Sequence, residues 1–207
     1  ISTDGAPKIL FFFFCVTLWH YFSSCLNGTS SVFTSNAAIF GKVYFPRLVM
    51  PISIVFSNLM RFGVQMVLFL IAFLYYLTKG EVQPNWWILA TPFLILLMAM
   101  FALGVGMLFS SMTTKYRDLQ MLLGFGVSLY MYATPVIYPV SALPKAIQPY
   151  AAWNPLTGIF ECFKYGWLGV GEFNPTMLAI SSLIILLLLA IGTITFNKVE
   201  KSFMDTV

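Results

Sequence analysis

"MPISIVFSNLMRFGVQMVLFLIAFLYYL", residues 50–77, holds a single charged residue, Arg61, in a run of aliphatic and aromatic side chains. A helix rises about 1.5 Å per residue, so the run is long enough for the roughly 30 Å of hydrocarbon in a bilayer. Inside hydrocarbon every backbone N–H and C=O needs a partner, which a helix supplies from within itself. Four further runs read the same way: Ile9 to about Leu26, Trp86–Ser110, Leu119–Tyr138 and Thr176–Phe196. The first is expected to end at Asn27-Gly28, and the fourth carries Pro135 near its end. The chain is 59% hydrophobic and 9% charged, whereas soluble domains are about a quarter charged. No soluble core hides that much apolar surface. The expected fold class is all-α, a polytopic membrane helical bundle of five spans, with residues 1–207 as one transmembrane domain.

Lysine and arginine between spans set orientation. One side carries Lys42, Arg47, Lys115, Arg117, Lys198 and Lys201; the other carries Lys8, Lys79, Lys145 and Lys164. The richer side is expected to be cytoplasmic. Five spans then put Ile1 outside and Val207 inside, and a protein starting in the cytoplasm needs one more span before Ile1. Along the third span Ala102, Gly106 and Ser110 recur every four residues, a spacing that lets another helix approach closely.

Residues 139–170 are expected to form a re-entrant external segment of two short helices. Pro139, Pro144, Pro149 and Pro155 break any span there. Leu156, Ile159, Phe160, Phe163 and Trp167 keep helical spacing. Asn154 before Pro155 is a start signal, a cap followed by proline at the first helical position. Glu161 and Lys164 can pair at i, i+3. Such a piece persists in a membrane only where other protein covers its backbone.

Enzyme chemistry finds no foothold. The spans carry no paired carboxylates, His20 is the lone histidine, and no GxxxxGK[ST] loop is present to hold a nucleotide. No catalytic set, resident cofactor or metal site is expected. Cys15 and Cys25 stand roughly 15 Å apart along one helix, too far for a disulfide. A net charge of +4 is too thinly spread for nucleic acid. His20 is expected as a neutral histidine bonded to a neighbouring helix, and Arg61 as an intramembrane cation, a functional candidate by default.

Between the first two spans, "NAAIFGKVYFPRLVMP" at 36–51 predicts a short helix over about 36–47. Ile39, Phe40, Val43 and Tyr44 share one stripe, Ser35 or Asn36 can cap it, and Pro46 stops it. Lys42 and Arg47 suit a cytoplasmic surface. The stripe fits either an interfacial anchor or a docking knob for a soluble partner.

"KVYFPRLVMP" at 42–51, "KYRDLQ" at 115–120, "TPVIYPVSALP" at 134–144 and "WNPLTGIFE" at 153–161 occur in this order. Together they resemble the permease subunit of polysaccharide ABC exporters of the type-2 export family. The resemblance implies an amphipathic helix and a first span ahead of Ile1. It implies a homodimer on two ATP-binding cassette subunits, which would bind ATP and Mg. Ile39, Phe40, Lys42, Val43 and Tyr44 would form the ATPase-coupling helix, and 139–170 the external pair. The implied cargo is an undecaprenyl-diphosphate-linked glycan (O-antigen, capsule or teichoic-type), moved across the bacterial inner membrane. Arg47 and Arg61 would meet its diphosphate at the loading point. Trp19, Tyr21, Phe22, Tyr130, Tyr132 and Tyr138 would offer flat faces to the sugars, with an interfacial aromatic belt as the alternative. A type-2 exporter of a lipid or drug is the competing reading. A membrane-embedded glycosyl or acyl transferase would need in-span acids or a histidine pair.

Overall fold

The computed structural model describes residues 5–36, 48–114, 116–144, 148–151, 153–171 and 173–204. The described residues form helices and turns, with no strand among them. In chain order α1 is Lys8–Ser30, α2 Val32–Ser35, α3 Val49–Thr78, α4 Thr91–Thr113, α5 Leu119–Ala133, α6 Gln148–Ala151, α7 Pro155–Leu168 and α8 Pro175–Met204. Short 3-10 helices cover Trp86–Ala90 and Val140–Ala142. Among the described residues four stretches are long and apolar enough to cross a membrane: Lys8–Ser30, Val49–Thr78, Trp86–Thr113 and Pro175–Val199. The all-α membrane bundle expected from composition is what the chain forms.

The fourth expected span is shorter than its hydropathy. α5 has 15 residues, about 22 Å of helix. Pro135 has no N–H to give, and its ring pushes the preceding residue out of helical geometry. Thr134 is accordingly extended, at φ −100° and ψ 143°. Tyr138 therefore lies past the helix end and shares no helical face with Tyr130. The first span errs the other way. α1 runs through Asn27-Gly28 to Ser30, because Gly28 is a packing point rather than a cap. A Cβ there would stand 2.7 Å from Ile54 Cγ2 of α3.

α4 sits at the centre, with α1 and α8 packed along it. Membrane helices gain little from apolar burial against lipid, so they associate through close backbone approach. The Ala102–Gly106–Ser110 row provides it. Ala102 and Ser110 are fully buried, and a Cβ on Gly106 would meet Thr29 Cβ at 2.6 Å. Thr113 Oγ1 donates to the Ser30 carbonyl at 3.1 Å, tying the same two helix ends. Gly104 performs the equivalent task against α8, where its Cβ would lie 2.8 Å from Leu189 Cα.

α7 is the buried short helix of the 139–170 segment. Asn154 caps it as expected, accepting from Leu156 N–H at 3.0 Å. Gly169, in left-handed backbone at φ 68°, ends it. Leu156, Ile159, Phe160 and Phe163 are wholly buried, and Trp167 sits among Phe14, Phe69 and Phe73. Its partner is unequal: the 3-10 turn at Val140–Ala142 and the four residues of α6 stand where a second helix was expected.

Candidate functional site, a polar trough between three spans

α1 buries most of its circumference and opens along one line. His20, Ser24 and Asn27 are exposed, with Ser23 half-buried beside them. Their spacing of three and four residues keeps them on one face. Local bonds quiet part of this polarity: Ser23 Oγ donates to the His20 carbonyl at 3.3 Å. The imidazole and the Asn27 amide still face outward. Among the described residues the His20 ring makes no bond to a neighbouring helix, so it lines the trough in place of forming the interhelical bond expected.

α3 answers with a second polar line. Ser53, Ser57 and Arg61 recur every four residues and, with Asn58, face the Ser23–Gly28 stretch of α1. The two helices run antiparallel, so Ser53 comes level with Gly28 and Arg61 with Ser23. They enclose a cavity of about 480 Å³ lined by Ser23, Ser24, Asn27, Gly28, Ser53, Ile54, Ser57, Asn58 and Arg61. Asn58 donates to its own Ile54 carbonyl at 3.0 Å.

α5 forms the wall on the other side of α1. Gly124, Ser128 and Tyr132 recur every four residues and meet Trp19, His20, Ser23 and Asn27 around a cavity of about 320 Å³. Ser23 and Asn27 line both cavities, so the two adjoin along one trough. Polar groups at this depth are costly against lipid and ordinarily face a bundle interior or water.

The end of α5 is fixed from α7. Asn154 Oδ1 accepts from the Tyr130 hydroxyl at 2.6 Å, and its amide donates to the Ala133 carbonyl at 3.2 Å and Thr134 Oγ1 at 3.1 Å. Three turns on, Lys164 Nζ donates to the Pro135 carbonyl at 2.6 Å, the Tyr138 carbonyl at 3.3 Å and Glu161 Oε1 at 3.0 Å. Its third side lies over the Phe11 ring, 5.1 Å from the centroid. The expected Glu161–Lys164 pair forms, and it also gathers carbonyls exposed where Pro135 breaks α5.

The family described as ABC-2 type transporter matches residues 2–168. This chain belongs to the ABC-2 type transporter family. It is 26% identical over 188 residues to the O-antigen export system permease protein RfbA of Klebsiella pneumoniae, covering 90% of this chain and 71% of that one. It is 27% identical over 212 residues to the O-antigen export system permease protein RfbA of Myxococcus xanthus, covering 100% of this chain and 79% of that one. As an ABC-2 family member the chain is a transport subunit, and the motif resemblance is borne out at that level.

Within this ABC-2 chain the predicted residues separate by burial. Tyr132 lines the trough and is 66% exposed, whereas Trp19 only borders it: it is buried, its ring 5.4 Å from Phe22 and 6.0 Å from Tyr130. Tyr21 and Phe22 turn into the core: Tyr21 packs 5.1 Å from the Phe62 ring, and Phe22 stacks on Phe101 at 5.2 Å. Tyr130 turns away from Tyr132. It lines, with Phe22, Phe101, Val127 and Ile184, an apolar cavity of about 570 Å³ on the adjoining face of α5, which shares Val127 with the trough. Tyr138 donates its hydroxyl to the Tyr132 carbonyl at 2.8 Å. Burial raises the Tyr138 phenol above its ordinary range, so it stays a donor. Arg61 lines the trough. Ile39, Phe40, Lys42, Val43, Tyr44 and Arg47 lie outside the described residues. Residue-by-residue reading missed the serine lines of α1, α3 and α5, and the clamp role of Lys164. Spacing of three and four residues was the available signal for the first.

Proposed function

We propose that this permease is the membrane subunit of an ATP-driven exporter of lipid-linked polysaccharide, O-antigen, capsule or teichoic-type, in the bacterial inner membrane. The observation that carries the reading is the trough: hydroxyls, two amides, an imidazole and a guanidinium aligned on two apolar spans and the shorter apolar helix α5, with the exposed Tyr132 among them and Trp19 at its border. A hydrated sugar chain presents hydroxyls and flat C–H faces. Serine and asparagine answer the first, and aromatic rings the second. A polymer that must slide needs many weak contacts, since one tight site would hold it. The names of the two RfbA relatives support the same cargo.

The remaining parts of the proposal rest on membership of the ABC-2 type transporter family and on the lack of a nucleotide-binding loop in the sequence. Two ATP-binding cassette subunits supply hydrolysis and hold ATP and Mg. A second copy of the permease closes the trough. The segment at 36–47, with Ile39, Phe40, Lys42, Val43 and Tyr44, is the proposed contact with the ATPase. A lipid or drug exporter is favoured by one separate feature, the wholly apolar cavity behind α5.

Reconstitution decides between them. The permease and its ATPase, in sealed vesicles, should move a fluorescent lipid-linked glycan on ATP addition. Transport of a lipid or drug, with no movement of the glycan, would refute the polysaccharide reading.

A further inference from the structure

We infer that a cavity at the end of the bundle where α5 stops and α8 starts is a subsite for neutral sugar residues of the exported glycan. The inference rests on the polysaccharide reading for its ligand and adds a site beyond the trough. The cavity measures about 530 Å³, and its lining includes Val140, Ser141, Gln148, Glu161, Gly171 and Asn174. That size suits a small ligand. The lining is gathered from pieces of chain far apart in sequence: the 3-10 turn at Val140–Ala142, the start of α6, the middle of α7 and the residue before α8.

Unused hydrogen-bonding capacity is the first argument. Glu161 is 7% exposed. Its Oε1 accepts from Lys164, and its Oε2 makes no hydrogen bond among the described residues. A buried carboxylate oxygen left bare is costly. Gly171, at φ 86°, leaves room beside it: a Cβ there would stand 3.0 Å from Oε2. Gln148 commits its amide N–H to the Leu143 carbonyl at 3.0 Å, which leaves its own oxygen to accept. Asn174 commits its oxygen to Thr176 N–H at 3.0 Å, which leaves its amide to donate. Acceptors and a donor together are what a sugar hydroxyl, itself both, can answer.

Charge is the second. Glu161 and Lys164 are neutral as a pair, and no cation is found among the described lining residues. A phosphate would meet the carboxylate with nothing to offset it. A metal ion would meet the Lys164 ammonium, 3.0 Å from that same carboxylate. A neutral polyhydroxyl ligand suffers neither repulsion.

Position is the third. Tyr132 lines the trough, and the Tyr138 hydroxyl donates to its carbonyl at 2.8 Å. Val140 and Ser141, just beyond Tyr138, already line the cavity. Lys164 stands between the two sites, bonded to the Tyr138 carbonyl and to Glu161. Tyr150 of α6 and Trp153 just after it are both exposed, and they add flat apolar faces to that end of the bundle. A chain leaving the trough along Tyr132 and Tyr138 therefore reaches the cavity next. On the orientation expected from lysine and arginine, this is the external end.

The test uses the full-length permease with its ATPase in cells that make their own surface glycan. A benzophenone-bearing residue replaces Val140, and in a control it replaces Leu187 on the apolar face of α8. Light joins the benzophenone to C–H groups within reach, which sugars and lipids both carry. A glycan ladder on the Val140 probe, revealed by periodate staining, and none on the Leu187 probe are expected. Asn174→Asp keeps the oxygen that holds Thr176 and loses the amide donors, so it should cut the glycan yield at Val140 about threefold or more. Should that variant fail to accumulate, Gln148→Leu should give the same fall. Phospholipid joined at Val140 in place of glycan overturns the site, as does a glycan yield that both variants leave unchanged. If deleting the permease abolishes surface glycan while the Val140 probe joins none, the site falls and the polysaccharide reading stands. If deletion leaves the surface glycan intact, that reading falls, and the ligand proposed for the site falls with it.

Discussion

The Tyr130 hydroxyl donates to Asn154 Oδ1 at 2.6 Å, joining the last turn of α5 to the first of α7 across 24 residues of chain. The same oxygen accepts from Leu156 N–H, so one side chain is both the cap of α7 and the anchor of α5. Tyr130→Phe removes one neutral hydrogen bond and should cost about 1 kcal/mol. Asn154→Ala removes the cap as well and should cost about 2–3 kcal/mol. The double variant should cost less than the sum, because both singles break one bond. Thermal unfolding in detergent reads all three, and strict additivity would mean that the bond contributes nothing.

Lys164 is 1% exposed, and its ammonium reaches Glu161 and two carbonyls of the Pro135 break. Lys164→Met leaves a buried carboxylate and two unpaired acceptors, a loss of about 3–5 kcal/mol. Glu161→Gln keeps an acceptor for Lys164 but removes its counter-charge, and should also cost about 3–5 kcal/mol. Poor accumulation of both single variants is the expected pattern. Normal levels of both would show that the clamp is dispensable.

Glycines divide by what surrounds them. Gly106→Ala drives a methyl into Thr29 at 2.6 Å and should cost about 1–3 kcal/mol. Gly63 has nothing within 4 Å of its absent Cβ, so Gly63→Ala should be neutral or gain up to about 1 kcal/mol of helix propensity. Unfolding midpoints of the two variants should move in opposite directions or differ plainly. Equal destabilisation would argue that a second copy packs against Gly63.

The proposed ATPase contact at 36–47 is tested by assembly. Phe40→Asp would put an unpaired charge into a desolvated interface, a loss of several kcal/mol. The ATPase should no longer co-purify while permease abundance stays normal. Unchanged assembly and export would leave the stretch as a surface anchor.

Elements whose signal is local were legible in the sequence. Asn154-Pro155 followed by apolar residues at three- and four-residue spacing marks α7, because capping and one-sided burial are both properties of a short stretch. Arg61 was legible because a cation inside an apolar run is rare. The end of α5 was written in Pro135 but hidden by the hydropathy of the residues beyond it. Tyr21 and Tyr132 could not be told apart, since which way a ring points depends on the rotation of its helix against its neighbours. The trough was least visible. Ser23, Ser53 and Ser128 are ordinary residues in three separate spans, and they converge only once α1, α3 and α5 are packed.

That convergence yields the sharpest prediction. A polar line on an apolar span either faces water or a protein partner, or it is exposed to lipid at a cost. Cysteines introduced at His20 and Ser128 should react with a membrane-impermeant thiol reagent in the assembled transporter, since both line the trough. A cysteine at Leu187, 55% exposed on the apolar face of α8, should not react, because hydrocarbon keeps out the thiolate that the reagent needs. The native background should be low, as Cys15, Cys25 and Cys162 are free but buried. A second measurement separates the trough from a lipid face. Leucine in place of a polar residue is favourable in contact with lipid. Ser128→Leu should therefore stabilise the protein if that face meets acyl chains. If the face lines a hydrated path, it should narrow the path and slow export several-fold, with abundance and ATPase assembly unchanged. Normal export together with a raised unfolding midpoint would return Ser128, and Tyr132 with it, to the lipid-facing surface.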